Sequence, residues 1–189
     1  MTDVADGSWF EPLSLWRRVE QLLTQPRRAL GTLLLVALLG AFGAASAVAL
    51  GARWFSVLWD GDIGFVPFAD GRIDPFRATF LGMLLAPLAL MAMYLLLGRY
   101  YRLPSRPLAA FAVAVSGAIP VYVAGLTMVF MPAILLVISA FVLSCFWWAT
   151  GARLLLGVAA DDSAEFNAIS IIGSILLMQF AGGLLAGLT

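Results

Sequence analysis

Charge is excluded from four long stretches of this chain, and that exclusion constrains the fold more than any other feature. Residues 29–52, 78–98, 107–152 and 166–189 hold no Asp, Glu, Lys or Arg over 24, 21, 46 and 24 positions. A bilayer core of roughly 30 Å takes about 20 helical residues to cross, and a crossing segment must satisfy its own backbone hydrogen bonds. The three shorter stretches therefore hold one crossing each, and the longest holds two. The pattern predicts an all-α membrane protein with five transmembrane helices near 29–51, 76–98, 107–129, 132–154 and 166–188. Residues 1–28 precede this five-span domain as a separate cytoplasmic segment. A mean hydropathy of +0.99 and a charged fraction of 12% agree, since soluble domains carry about twice that charge.

The longest stretch must turn, and Phe130-Met131-Pro132 is the best place, because proline fits the first turn of a helix. Pro120 then lies inside the third span, where it kinks the helix and frees a carbonyl. A simple kink and a re-entrant or functionally used break both fit that position, with Tyr122, Gly125 and Thr127 beside it as a possible path. Orientation follows from arginine placement at the span ends. Arg17, Arg18, Arg27, Arg28, Arg99, Arg102, Arg106 and Arg153 fall on one side; Arg53, Arg72 and Arg77 fall on the other. The bias puts the N-terminus in the cytoplasm and Thr189 outside. Ala45-Ser46-Ala47 imitates a signal-peptidase site, but the apolar run continues past it, so the first span reads as a retained helix.

Composition also limits the chemistry. All eleven cations are arginine, with no lysine or histidine, and Cys145 is the one cysteine. That removes a disulfide framework, a Cys/His zinc site, histidine acid–base catalysis and a Schiff-base lysine. Net charge is zero and the arginines are scattered, which gives no footprint for nucleic acid. The spans offer no carboxylate at membrane depth, where coupled carriers keep them. Their polar groups, among them Ser116, Tyr122, Thr127, Ser139, Ser144, Thr150, Asn167, Ser170, Ser174 and Gln179, read mainly as helix–helix hydrogen-bond partners. No catalytic, cofactor or metal residues are assigned. Asp60-Gly61-Asp62 in the external 52–75 loop has too few ligands at ordered spacing for calcium.

Two further patterns point to surfaces. Leu13, Trp16, Val19, Leu22 and Leu23 recur at helical spacing before Pro26, with Arg17, Arg18, Glu20 and Gln21 on other faces. That suits an amphipathic helix in the membrane interface, with Trp16 at headgroup level and Arg17 and Arg18 near anionic lipid. It equally suits a helix packed on the protein's own cytoplasmic side. Gly43, Ala47 and Gly51 repeat every four residues in the first span, as do Ala37, Ala41, Ala45 and Ala49, and Gly183 and Gly187 form a G-x-x-x-G in the fifth. Such stripes allow close helix approach, within one chain or with another subunit.

Several segments in order resemble the bacterial Yip1 family of five-span membrane proteins. They are Leu22-Leu23-Thr24-Gln25-Pro26-Arg27-Arg28, the link from Arg99 to Pro107, and Ala118-Ile119-Pro120-Val121-Tyr122-Val123-Ala124-Gly125-Leu126. Thr150-Gly151-Ala152-Arg153-Leu154-Leu155-Leu156-Gly157-Val158 follows, then Asp161, Asp162 and Glu165. The similarity is best over 99–189. The resemblance implies a five-span inner-membrane protein and carries no catalytic motif. Eukaryotic relatives are associated with Rab GTPases, but no residue here matches a GTPase-binding site. The expected function is a non-enzymatic scaffold, assembly factor or accessory subunit, in contact with membrane lipids and with other subunits or its own copies. The competing expectation is a passive small-solute channel or lipid-handling protein. Convergence of Ser116, Tyr122, Thr127, Asn167 and Gln179 on one cavity separates the two.

Overall fold

The computed structural model of the protein describes residues 12–59, 75–127 and 134–187, with side-chain surroundings for 14–51, 76–77, 79–127 and 135–180. These residues form helices and links, without a strand among them. A short helix α1 (Pro12–Leu23) is followed by α2 (Pro26–Trp59), α3 (Pro75–Tyr100), α4 (Pro107–Gly117), α5 (Ile119–Thr127), α6 (Ile134–Gly151) and α7 (Ser163–Gly187). A π-helical turn, Ala152–Leu156, extends α6. Helices α1 to α4 each begin on a proline, whose fixed φ and missing N–H suit the first helical position. Ser163 and Glu165 open α7, with the acid in the first turn where the helix dipole favours it.

Five helical segments are long and apolar enough to cross a membrane: Pro26–Gly51, Thr79–Tyr100, Pro107–Thr127, Leu135–Leu156 and Ser163–Phe180. The architecture is that of a multi-pass membrane protein. The chain alternates direction, so α1, the 101–106 link and the 157–162 link share one end of the bundle, here called the arginine-rich end. The 52–75 loop, the Phe130-Met131-Pro132 turn and the Asp60-Gly61-Asp62 segment lie largely or wholly outside the described residues.

The third span is the axis of the bundle. Over its apolar stretch 78% of its residues are buried, whereas in the other four spans the share is 22–33%. Its composition explains this. Ala109, Ala110, Ala112 and Ala114 let neighbouring backbones approach, and Phe111, Val113 and Val115 fill the space between them. Helices α2, α3 and α6 pack directly on α4 and α2 and α6 on α5, while α7 closes the bundle through α3. The outer helices turn leucine and phenylalanine outward, as at Leu39 (63% exposed), Leu135 (79%) and Phe180 (68%). Against lipid such residues need no cover, because the hydrocarbon is as apolar as they are.

Helix α1 lies across the arginine-rich end and packs on α2 and α4. Trp16 and Val19 are buried, while Arg17, Arg18, Glu20 and Gln21 are exposed. Trp16 is 1% exposed, and its ring presses on Gly151, where a Cβ would come within 2.5 Å of a ring carbon. The expectation of Trp16 at headgroup level is therefore corrected. The ring is seated in protein because Gly151 leaves a flat notch for it, and only Arg17 and Arg18 of the three remain outward.

The fourth span ends through its π turn. The Val158 N–H reaches back to the Ala152 carbonyl at 3.3 Å, and Gly157 between them has φ 79°. A Cβ there meets nothing within 4 Å, so only backbone conformation selects glycine. Gly157→Ala is expected to lower stability by about 1 kcal/mol, the cost of a left-handed residue with a Cβ, and Gly157→Asn by less. Thermal unfolding in mild detergent checks this; an unchanged Gly157→Ala midpoint contradicts it.

Candidate functional site

Two of the five spans contain an interior proline, and two aromatic side chains, Tyr122 and Trp148, reach the places where the backbone ladder is broken. Proline has no N–H, so the carbonyl four residues earlier loses its donor. In α3 the proline is Pro87, and the carbonyl is that of Met83. The Tyr122 hydroxyl of α5 donates to that carbonyl at 3.3 Å. In the third span Pro120 can give the Ser116 carbonyl no N–H, and the helix interrupts just before it, at Ala118 between α4 and α5. There the Ala118 N–H turns to the Val115 carbonyl at 3.1 Å, which leaves the Ala114 carbonyl without its usual partner. The Trp148 indole of α6 donates to Ala114 at 3.0 Å. At each break an aromatic donor from a neighbouring span thus reaches a freed carbonyl, as an apolar solvent favours.

Close approach makes both contacts possible. A Cβ on Gly117 would collide with the Trp148 indole, and one on Gly40 would sit 2.6 Å from the Tyr122 ring. Gly125 faces Ala44 at 2.6 Å, and Gly43 faces Leu126 at 2.8 Å, by the same construction. Ala37, Ala41, Ala45 and Ala47 are buried, as is Gly51. The first-span stripe therefore packs within the chain, on α3 and on the third span. Gly183 and Gly187 belong to α7, but their surroundings lie outside the described side chains.

A second polar chain joins α3, α7 and α6. The Tyr94 hydroxyl donates to Asn167 Oδ1 at 2.9 Å, and Asn167 Nδ2 donates to the Cys145 carbonyl at 3.1 Å. Phe166 stacks on Tyr94 with centroids 5.6 Å apart and planes at 7°, and Tyr101 meets Phe166 edge-on at 5.4 Å. Tyr101 lies past the end of its span. Its hydroxyl is held above the ordinary tyrosine range by burial first, then by the Glu165 and Asp162 carboxylates. Ser170 and Ser174 bond back to carbonyls of their own helix, as do Thr127 and Thr150. Among the described residues, the buried Trp16 Nε1 and Ser144 Oγ have no hydrogen-bond partner.

Pro120, Tyr122, Gly125 and Thr127, read from sequence as a kink or path, are thus set into the seam between the third span and its neighbours. Tyr122 serves α3, Gly125 abuts Ala44 and Thr127 bonds to Ala124. Ser116 is buried in α4, Asn167 sits in the Tyr94 chain, and Gln179 is exposed on α7. The five polar residues do not come together, and none lines either cleft at the arginine-rich end. Among the described residues, no three His, Cys, Asp or Glu side chains gather as a metal site. Pro87, Tyr94 and Trp148 were missed in the sequence. Pro87 was visible as a second intraspan proline, whereas the two aromatics gain roles only once their partners are placed.

No protein-family model, curated protein or solved structure matches this chain. The resemblance to the Yip1 family rests on the quoted segments alone.

Two outcomes follow from the proline geometry. Tyr122→Phe is expected to cost about 1 kcal/mol, the upper part of the range for intramembrane hydrogen bonds. In a Pro87→Ala background, residue 87 regains its N–H and the cost should shrink toward zero; equal costs in a thermal double-mutant cycle contradict the pairing. Gly117→Ala is expected to lower stability by roughly 3 kcal/mol or more through displacement of Trp148, while Trp148→Phe costs about 1 kcal/mol. Equal and small effects of the two in the same assay contradict it.

Proposed function

We propose that this protein is a non-enzymatic accessory or scaffold subunit of a membrane complex, in the bacterial inner membrane. The observation that carries this reading is the fate of the polar side chains at membrane depth. Tyr94, Tyr122, Trp148 and Asn167 bond to one another or to backbone carbonyls of neighbouring spans. Polar groups retained in lipid for transport or chemistry face a cavity or a bound ligand. Here they are used in holding four of the five spans in one arrangement, which supports a protein whose product is a shaped surface. The rigid, buried third span and the outward apolar faces of α6 and α7 suit such a role.

The arginine bias, eight against three, supports an N-terminus in the cytoplasm and a C-terminus in the periplasm. The arginine-rich end then faces the cytoplasm, with α1 along the interface and Arg17 and Arg18 toward anionic headgroups. The Yip1-like order of segments is compatible with this arrangement and supplies no partner. With the first-span stripe occupied inside the chain, association falls to the outward faces of α6 and α7.

Tagging the protein at its native expression level and purifying it in mild detergent tests the reading. A membrane protein should co-purify in fixed ratio by native mass spectrometry. Reconstituted alone, the chain should give no solute flux or lipid scrambling above protein-free liposomes. A clean monomer without a partner, or flux that depends on the protein, contradicts it.

A further inference from the structure

The arginine-rich end contains a cleft of about 370 Å³ between α1, the start of α4 and the π turn. Its position is specific. Leu154 and Leu155 belong to the last turn of the fourth span, Leu108 to the first turn of the third, and Leu23 to the last turn of α1. These four leucines form an apolar wall at the level where the spans end, and Leu154 is 52% exposed outward. Above the wall stands Arg106. One guanidinium N–H of Arg106 reaches the Leu155 carbonyl at 3.4 Å, which anchors the side chain over the cleft. A guanidinium has five donors, so four remain for another acceptor. Arg106 is also the residue before α4 and caps none of its N–H groups by side chain. Pro107 has no N–H, so the donors of Leu108 and Ala109, both in the cleft lining, lack intrahelical partners.

The wider field has the same sign. Among the described residues at this end, Arg17, Arg18, Arg27, Arg28, Arg99, Arg102, Arg106 and Arg153 are all exposed. Glu20, Asp161, Asp162 and Glu165 oppose them, and Glu20 is the one acid in the cleft lining. An arginine with further donors, backbone N–H groups without intrahelical partners and a basic surround select a phosphate-type anion. The leucine wall below selects among such anions. It adds nothing for a free phosphate in water, but it covers the glycerol and first acyl carbons of a lipid whose chains then run down the exposed face at Leu154.

We propose that the cleft between α1, α4 and the π turn is a binding site for one anionic phospholipid, with its phosphate on Arg106 and its glycerol backbone on the leucine wall. The site does not rest on the accessory-subunit reading, since it needs no protein partner. Glu20 at the rim repels a headgroup bearing further free acid and favours one of single charge. Lipid in the cleft also ties α1 to α4 and to the fourth span at one point.

The test uses the full chain in mild detergent with an equimolar mixture of phosphatidylglycerol and phosphatidylcholine, and native mass spectrometry counts each retained lipid. The proposal expects one phosphatidylglycerol retained in preference to phosphatidylcholine. Arg106→Gln should reduce that retention about tenfold, the worth of one charge-assisted hydrogen bond. Because Arg106 also holds the Leu155 carbonyl, a second variant, Leu154→Trp, fills the cleft from its exposed wall and leaves the arginine in place. It too should lose the lipid while keeping the wild-type unfolding midpoint. Equal retention of the two lipids, or full retention by Leu154→Trp, overturns the site. Millimolar inorganic phosphate should neither displace phosphatidylglycerol nor raise the midpoint as far as that lipid does. If it does either, the cleft takes a free anion and the lipid assignment is overturned.

Discussion

A backbone carbonyl without a donor is costly inside a bilayer, and the arrangement of this protein depends on how two such carbonyls are served. In water, a proline-broken helix solvates its free carbonyl. In hydrocarbon it must find a protein donor. Met83 finds the Tyr122 hydroxyl and Ala114 finds the Trp148 indole, so each break in one span becomes a bond to another. The two bonds fix the third span at two points, one against α3 and one against α6. Both require glycine beside the aromatic ring, at Gly40 and Gly117. Proline, glycine and aromatic side chain thus act as one unit, although they are far apart in the chain.

The same economy governs the remaining polar groups. Tyr94, Asn167 and the Cys145 carbonyl tie α3, α7 and α6 together on the side of the bundle where α7 packs on α3. Thr127, Thr150, Ser170 and Ser174 return to their own helix. A conduit would instead leave such groups facing a common space. At the arginine-rich end the logic reverses, because water and headgroups are present there. Arg106 bonds to one carbonyl and keeps four donors for something else.

Charge spacing made the five helices and their approximate ends legible in the sequence, because exclusion of charge from lipid acts on every residue of a span. The small-residue stripe at Gly43, Ala47 and Gly51 was legible for a similar reason, although its partner was not. Pro120 marked a break, but the interruption itself falls at Ala118, two residues earlier, where the ladder loses its register. Trp16 was misplaced when read for headgroups, since its burial depends on Gly151, 135 positions away in the chain. Tyr94 with Asn167, and Trp148 with Ala114, depend on which spans are neighbours. Hydropathy is silent about that, because every span has the same apolar character.

The central claim is that the break in the third span is dry and packed. Hydrogen–deuterium exchange of the protein in lipid nanodiscs tests it most directly. The account predicts slow exchange along the whole of residues 107–127, with the amides on either side of Ala118 as protected as those of Phe111 to Val115. Fast exchange confined to 118–127 places water at the break. That result contradicts the account and restores a path through Pro120.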